Sequence, residues 1–432
     1  KTLWLEYLRR GVLLPVSQRP LAMTSLGETP PAEQHMTVPL PYPVRRAWPA
    51  EWDLAPMLSG ADEAPTLTGV ARYLHPSLDV RQVPGRGRGV VATRALEAGE
   101  LVLLDTPLET ATSYDELLQK VNSRAGEDAT FRLQLLSMCG DPGDEEARSN
   151  SDSPPAASVL RNIVRHNYHG VEPAPVDGEL PSGAPDAVGL WPLGSLVNHA
   201  LRPNVARIFA GRASCYRLIR PLDAGSEVLD NYLDLRLPRS MRCEMLRRNH
   251  GMADEGPDAS DSPSETADKI LSSHSDAMSK LEDGRKEAAQ SCFAALAELT
   301  NQCMEVDARD PAFTDVFRDF AMLAGQLGDV NMCLEGLAQA IEFATAREPY
   351  SIISCVLAAR LVHMACLAEH EVHRDTFSEL EALARQHFRM VYGPWPGAFE
   401  ALNPQVMQQI TELAGLKGPS DGDQPECGSD AK

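Results

Sequence analysis

The sequence predicts an α+β protein in which a strand-rich middle is followed by an all-helical C-terminal region. Two textures carry that expectation. From about residue 71 to 250, short β-rich runs ("LDVRQV", "GVVAT", "ELVLLD", "NVARIFA", "SCYRLIR", "SEVLDNYL") are separated by turns containing Gly, Pro or Asp, as strands joined by tight connections are. After Asp268 the texture changes. Segments such as "RKEAAQSCFAALAELTNQCMEV", "VNMCLEGLAQAIEFATA" and "FSELEALARQHFRMVYG" repeat apolar residues at three- and four-residue spacing, which marks successive amphipathic helices. The length of 432 residues adds a third observation, since single cores stop growing near roughly 250 residues.

In chain order, residues 1–70 read as an extended Pro-rich arm, because "TVPLPYPVRRAWPAEWDLAP" can be neither one helix nor one strand. Residues 71–250 form the strand-rich domain, with "FAGRAS" as a tight hairpin turn. Its stretch 111–190 reads as a helical and disordered insertion. Segments 140–158, 171–189 and 253–268 are poor in apolar residues and rich in Pro, Ser, Asp, Glu and Gly, the composition of linkers. Residues 251–268 are then an acidic linker, 269–416 an α-helical domain and 417–432 a disordered tail. "GQLGDVNMCLEGLAQAIEFA" has the turn-then-helix look of a tetratricopeptide unit, but no clean repeat of about 34 residues follows. Stacked helix pairs are the expectation there, with a peptide partner on their surface.

Bulk charge narrows the partners. Forty basic against sixty-one acidic side chains give −21, a field that repels a phosphate backbone, so no direct nucleic-acid binding is expected. A basic protein partner suits it better. The nine cysteines are scattered, with no CxxC or CxC pair, so no metal site is expected and the thiols suit the reducing cytoplasm or nucleus. The longest apolar run, Ser351 to Ala368, is interrupted by Arg360 and His363, which argues against a membrane span. The chain begins at Lys1 rather than Met, so an organelle signal upstream stays open.

Three motif segments bear on chemistry. "GRGRGVVATRALEAGE", 85–100, places three glycines in five residues before an apolar β-branched run. A phosphate loop would end in Lys-Ser or Lys-Thr and open a helix, and a dinucleotide fingerprint would also lead into a helix. Neither condition holds, and alone the segment reads as an Arg-Gly turn. "WPLGSLVNHALRPNVARI" begins at Trp191 and "IRPLDAGSEVLDNYLDLR" at Ile219. Asn198-His199 alone reads as a turn pair before Pro203, and Tyr232 alone as a strand tyrosine.

Together and in this order, the three segments resemble the SET-domain family of protein lysine methyltransferases. The resemblance spans about Ala71 to Leu246. It implies a β-rich domain closed by a pseudoknot that threads the NHxxxPN stretch against the C-terminal strand. It further implies that the backbone at Arg86, Gly87 and Arg88 approaches the methionine part of S-adenosylmethionine, where glycine leaves room. Asn167, in "NIVRHNYHG", is implied near the cofactor, Asn198 and His199 at its amino and adenine parts, and Tyr232 beside the methyl group. The long insertion and helical C-terminal region are similar to the SET and MYND group and its relatives with tetratricopeptide-like helices. The insertion holds only Cys139, so the MYND zinc module, which needs about eight ligands, is absent. "RRNHGMADEGPD" has Met252 and Asp254 where many relatives have an aromatic residue and a cysteine, so no post-SET zinc site forms.

The expected activity is methyl transfer to a lysine on a protein substrate, histone or not, with Tyr232 catalytic. The alternative is an inactive SET scaffold acting as an adaptor through its helices. Retention of the glycine loop, Asn198-His199 and Tyr232 as a set favours the enzyme, while loss of the zinc tail favours the adaptor. The arginines between 202 and 220 and the pair His370 and His373 read as solvated surface.

Overall fold

Among the described residues the short β-rich runs build four small sheets rather than one large one. The computed structural model describes residues 37–48, 72–140, 154–172, 174–180, 187–252, 265–283, 286–306, 310–368, 374–393 and 397–416. Strands β2 (Leu78–Val83) and β3 (Gly87–Ala92) form an antiparallel hairpin from Leu78↔Ala92 to Val83↔Gly87. A four-stranded antiparallel sheet runs β1 (Arg72–Leu74), β4 (Leu101–Asp105), β10 (Ala213–Leu218), β9 (Val205–Ala210). Its β9–β10 hairpin turns through Gly211 and Arg212, with Gly211 at φ 58°, a conformation open to glycine without strain.

Alternation along these strands divides the core. Leu74, Leu103, Val205, Tyr216 and Leu218 face the β2–β3 side, whereas Tyr73, Leu104, Ala206, Ile208 and Cys215 face the helical region. Residues 37–48 of the expected arm are extended but docked. Thr37 bridges Arg81, Arg45 bridges Tyr73, and Tyr42 is buried beneath Arg72, whose guanidinium lies 4.5 Å from the ring centroid. Nε of the same guanidinium pairs with Asp105 at 2.9 Å. Asp105 also accepts the backbone N–H groups of Leu193 (2.6 Å) and Gly194 (3.1 Å), fixing the turn that leads into Asn198.

The insertion is more ordered than its composition suggests. Strands β5 (Glu109–Ala111), β6 (Tyr168–Val171) and β7 (Ala187–Leu190) form a sheet with β7 central. Among the described residues three helices cover it: α1 (Tyr114–Glu127), α2 (Ala129–Leu136) and α3 (Ala157–Asn167). Ser113 and Asp128 cap the first two through the N–H groups of Glu116 and Phe131. Residues 174–180, read as linker, instead make a tight turn docked on the helical region. Asp177 Oδ1 accepts the N–H of Gln405 at 2.8 Å, and Arg360 donates to the Gly178 carbonyl at 2.7 Å. The docking uses backbone groups, the Arg360 guanidinium and the carboxylates of Asp177 and Glu179, so an apolar pattern could not announce it.

After α4 (Arg239–His250) come α5 (Glu265–Ser279), α6 (Lys286–Glu305), α7 (Thr314–Gln326), α8 (Val330–Ala344), α9 (Ile352–Leu367), α10 (Arg374–Tyr392), α11 (Ala398–Leu402) and α12 (Pro404–Leu416). The α+β class is as expected, with helices following strands. The first C-terminal helix begins at Glu265, inside the expected linker, because the apolar face supplied by Ile270 and Ala277 extends back by one polar turn. The rest of that linker, 253–264, the segments 1–36, 49–71, 141–153 and 181–186, and the tail 417–432 lie outside the described residues. Consecutive helices pack on one another, closely enough at α7–α8 that a Cβ on Gly336 would stand 2.8 Å from that of Ala321. Among the described residues no helix is long and apolar enough to cross a membrane, and no group of three or more His, Cys, Asp or Glu is placed to hold a metal.

Candidate active site

The site is assembled where distant segments of the chain are pinned together by backbone hydrogen bonds. Strand β8 (Asn198–His199) pairs in parallel with β11 (Leu229–Asp230), Asn198 opposite Leu229 and His199 opposite Asp230. Beside it, Val228 donates to the Val90 carbonyl and Ala92 to that of Ser226. The 226–230 segment therefore lies between the glycine hairpin and the 198–204 loop. Asn204 locks the loop by accepting from the Leu229 N–H (2.8 Å) and donating to the Glu227 carbonyl (2.8 Å).

This threading places Arg86, Gly87, Arg88, Asn198, His199 and Tyr232 around one locus. The Asn198 amide donates to the Arg88 carbonyl (3.1 Å) and to Glu227 Oε1 (2.6 Å), while Arg86 pairs with Glu227 Oε2 at 3.1 Å. Glu227 is thus the hub, and its residue type sits in the "GSEVLD" segment without having been singled out. Its presence explains the third glycine, since a Cβ on Gly89 would fall 2.2 Å from Glu227 Oε1 and 2.8 Å from Val83 Cγ2. Gly87 is required for another reason, its φ of 75°. A Cβ there would meet no protein atom within 4 Å, so the hairpin tip faces open space.

His199 and Tyr232 face each other with ring centroids 5.2 Å apart. The Tyr232 N–H donates to His199 Nδ1 at 3.1 Å, so the neutral ring carries its proton on Nε2. That nitrogen is buried without a hydrogen-bond partner, in a residue only 7% exposed. Burial, with the charges of His250 and Arg86, pushes His199 down to about 4, which keeps it neutral at pH 7. The Tyr232 hydroxyl donates to the Val197 carbonyl at 2.7 Å, and burial followed by Asp230 raises its pKa far above the ordinary tyrosine value. It is a neutral donor.

Beyond Tyr232, the ring of His250 at the end of α4 lies 4.9 Å away, and burial plus His166 takes His250 to about 4. Asn167 stands one layer back. Its amide protons go to the carbonyls of Cys139 and Ile163, both at 2.7 Å, and its oxygen accepts from Cys139 N at 3.3 Å. Both amide protons are taken up by backbone carbonyls, and the one on Cys139 holds the 139–140 turn, close enough to Tyr232 for the Cys139 thiol to act on the pKa of Tyr232. Arg88 reaches the same turn, donating to the Ser137 carbonyl. The signal for Val197, His250 and Cys139 lies in tertiary proximity alone.

The order of the hairpin, the Asn-His pair and the tyrosine across one parallel bridge is what a family comparison can decide. Residues 87–233 match the model of the SET domain. The match runs from the hairpin tip to one residue beyond Tyr232, so the matched segment contains the whole locus except Arg86 and His250. Among curated proteins no significant match is found. Two similar solved structures are the SET domain of LSMT bound to lysine and AdoHcy, and Rubisco LSMT bound to AdoMet. Each shares 12% identity over 82% of this chain, covering 92% and 93% of theirs, with TM-scores of 0.27. Likeness of that order carries no argument about what this chain does.

Proposed function

We propose that the protein is an S-adenosylmethionine-dependent protein lysine N-methyltransferase. The observation that supports it is the convergence of the glycine hairpin, Asn198-His199 and Tyr232 within the residues that match the SET domain. The residues present fit such a cofactor. His199 Nε2–H is a buried donor without an acceptor, suited to an adenine nitrogen, and the open face at Gly87 leaves room beside the backbone. Arg86 would hold a carboxylate, and Glu227 with Asn198 an amino group.

A lysine ammonium must lose its proton before it attacks, which at pH 7 costs about 4 to 5 kcal/mol from a reference pKa near 10.4. When bound, S-adenosylmethionine supplies the methyl group and a positive charge that disfavours the ammonium form. No described side chain at the locus is a strong base: Tyr232 stays protonated and His199 and His250 stay neutral near pH 7. The role left to Tyr232 is orientation. With its proton on the Val197 carbonyl, its oxygen presents lone pairs that align the incoming amine by proximity. Tyr232→Phe should lower turnover by about a hundredfold while calorimetric binding of S-adenosylmethionine stays near wild type. Equal turnover in the two proteins would remove Tyr232 from the mechanism, and no binding of S-adenosylmethionine at millimolar concentration would end the methyltransferase reading.

A further inference from the structure

The chain leaves the site at Tyr232, runs through 233–238 into α4 and returns at His250, whose ring lies 4.9 Å from that of Tyr232. Apolar packing does little to fix this loop, since α4 buries only Arg242 and Leu246 of its 12 residues. Tyr232 is pinned through its own N–H and hydroxyl. Among the described residues no such bond holds the His250 ring, so His250 takes its place from the polar frame of the loop.

Two arginines make that frame. Arg242, fully buried, donates to the carbonyls of Leu235 (3.0 Å) and Leu237 (2.7 Å). Arg236 grips Asp234 through Nε (3.0 Å) and Nη2 (2.6 Å), the forked arrangement that orients a guanidinium best. Each arginine also faces a carboxylate of the helical region. Asp310, ahead of the short turn Pro311–Phe313, stands 3.8 Å from Arg242 Nη1, and Asp315, in the first turn of α7, stands 3.5 Å from Arg236 Nη1. Both carboxylates are braced on their own side: Asp310 accepts the Ala312 N–H at 3.0 Å, and Asp315 takes Arg318 at 2.7 Å. Glu348, just before α9, faces the same loop, but burial followed by Asp230 and Asp234 pushes it up to about 8. Near pH 7 it is mostly uncharged and offers an arginine little.

Helix-start preferences account for Asp310 and Asp315 as residue types. They do not account for both carboxylates meeting arginines of the one loop that carries His250. We propose that Asp315 and Arg236 are positioning residues, through which the helical region sets the loop from Tyr232 to His250 and with it one wall of the site. The proposal deepens the methyltransferase reading and rests on it for the lysine that the wall would align, but not for the placement of His250. With no zinc module after Met252, the outer anchor of the loop among the described residues is the start of α7.

Hydrogen exchange and kinetics on the full-length chain test it, because a pair whose side chains are 22% and 28% exposed contributes little to global stability. In Asp315→Asn the amides of 233–250 should exchange about fivefold faster, at a melting temperature near wild type. Turnover on a lysine peptide should fall about fivefold while calorimetric binding of S-adenosylmethionine, which depends on the hairpin side, is unchanged. Arg236→Gln should do the same, and the double variant should be no worse than the worse single, since both remove one pair. Arg318→Gln, which removes the other partner of Asp315 and leaves Arg236 in place, should keep wild-type exchange and turnover. Wild-type exchange over 233–250 in Asp315→Asn overturns the proposal, as do additive losses in the double variant or an equal loss in Arg318→Gln. The two readings fail separately. No methyl transfer by the wild-type chain ends the methyltransferase reading and leaves exchange to decide the positioning, whereas wild-type turnover in every variant sinks the positioning alone.

Discussion

Gly89 and Glu227 occupy one another's space, and that single contact orders the hairpin side of the site. A methyl group on Gly89 would displace the carboxylate and press on Val83, and the displaced carboxylate would release both Asn198 and Arg86. Gly89→Ala should therefore cost about 1 to 3 kcal/mol in denaturant unfolding and weaken S-adenosylmethionine binding together with stability. Gly87→Ala, strained only by its φ, should leave the Glu227 contacts in place. A second residue-scale prediction concerns protons. His250 in the folded chain is depressed to about 4 against an unfolded value near 6.5. The unfolded chain thus binds the proton first as pH falls, and the stability present above pH 6.5 is lost on the way down to pH 4. His250→Gln should flatten that loss in melting curves between pH 6.5 and 4. A variant with the wild-type slope would show that other histidines carry it.

At the scale of elements, β8 and β11 are only two residues each, too short to be held by their own ladder. They depend on Asn204 and on β3 alongside. The longer hairpins were legible because apolar alternation and Gly-containing turns are local signals: Leu78–Val83 and Val205–Ala210 fall where the sequence places strands. β6 and β7 were not legible. Their partners are each other and β5, across a stretch rich in Pro and Gly, so composition argues for linker while pairing decides for strand. The 174–180 turn is the same lesson. Asp177, at φ 50°, caps α12 from 228 positions away in sequence. Asp177→Ala should cost about 1 to 2 kcal/mol, seen as a lower melting temperature, and should speed hydrogen exchange at Gln405 and Val406. Unchanged exchange there would refute the capping role.

For the whole molecule, the decisive feature is one continuous core shared by the four-stranded sheet and the helices. Tyr73, Leu104, Ile208, Cys215 and Ile219 belong to the same cluster as Phe388, Val391 and Tyr392 of α10. Arg217 donates to the Gly99 carbonyl at 2.7 Å, and its guanidinium lies against Gly393 at the end of that helix. Burial of each large apolar side chain is worth about 1.5 to 3 kcal/mol, so the sheet depends on its cover. A fragment ending at residue 264 should be aggregation-prone and bind a hydrophobic dye strongly. A soluble, monodisperse fragment with wild-type melting behaviour would show that the strand-rich part stands alone.

By itself the sequence determined the order of the parts: strands before helices, a glycine hairpin, an Asn-His pair and a tyrosine, because each is written in local periodicity or in a contiguous motif. Tertiary structure alone decided what those residues do to one another. Glu227 became the hub of the hairpin side, Asn167 a clamp on the 139–140 turn, and His199 a neutral ring with its free proton on Nε2. The physical reason is that hydrogen-bond partners and burial are properties of pairs, and these pairs join residues from 28 to more than 100 positions apart.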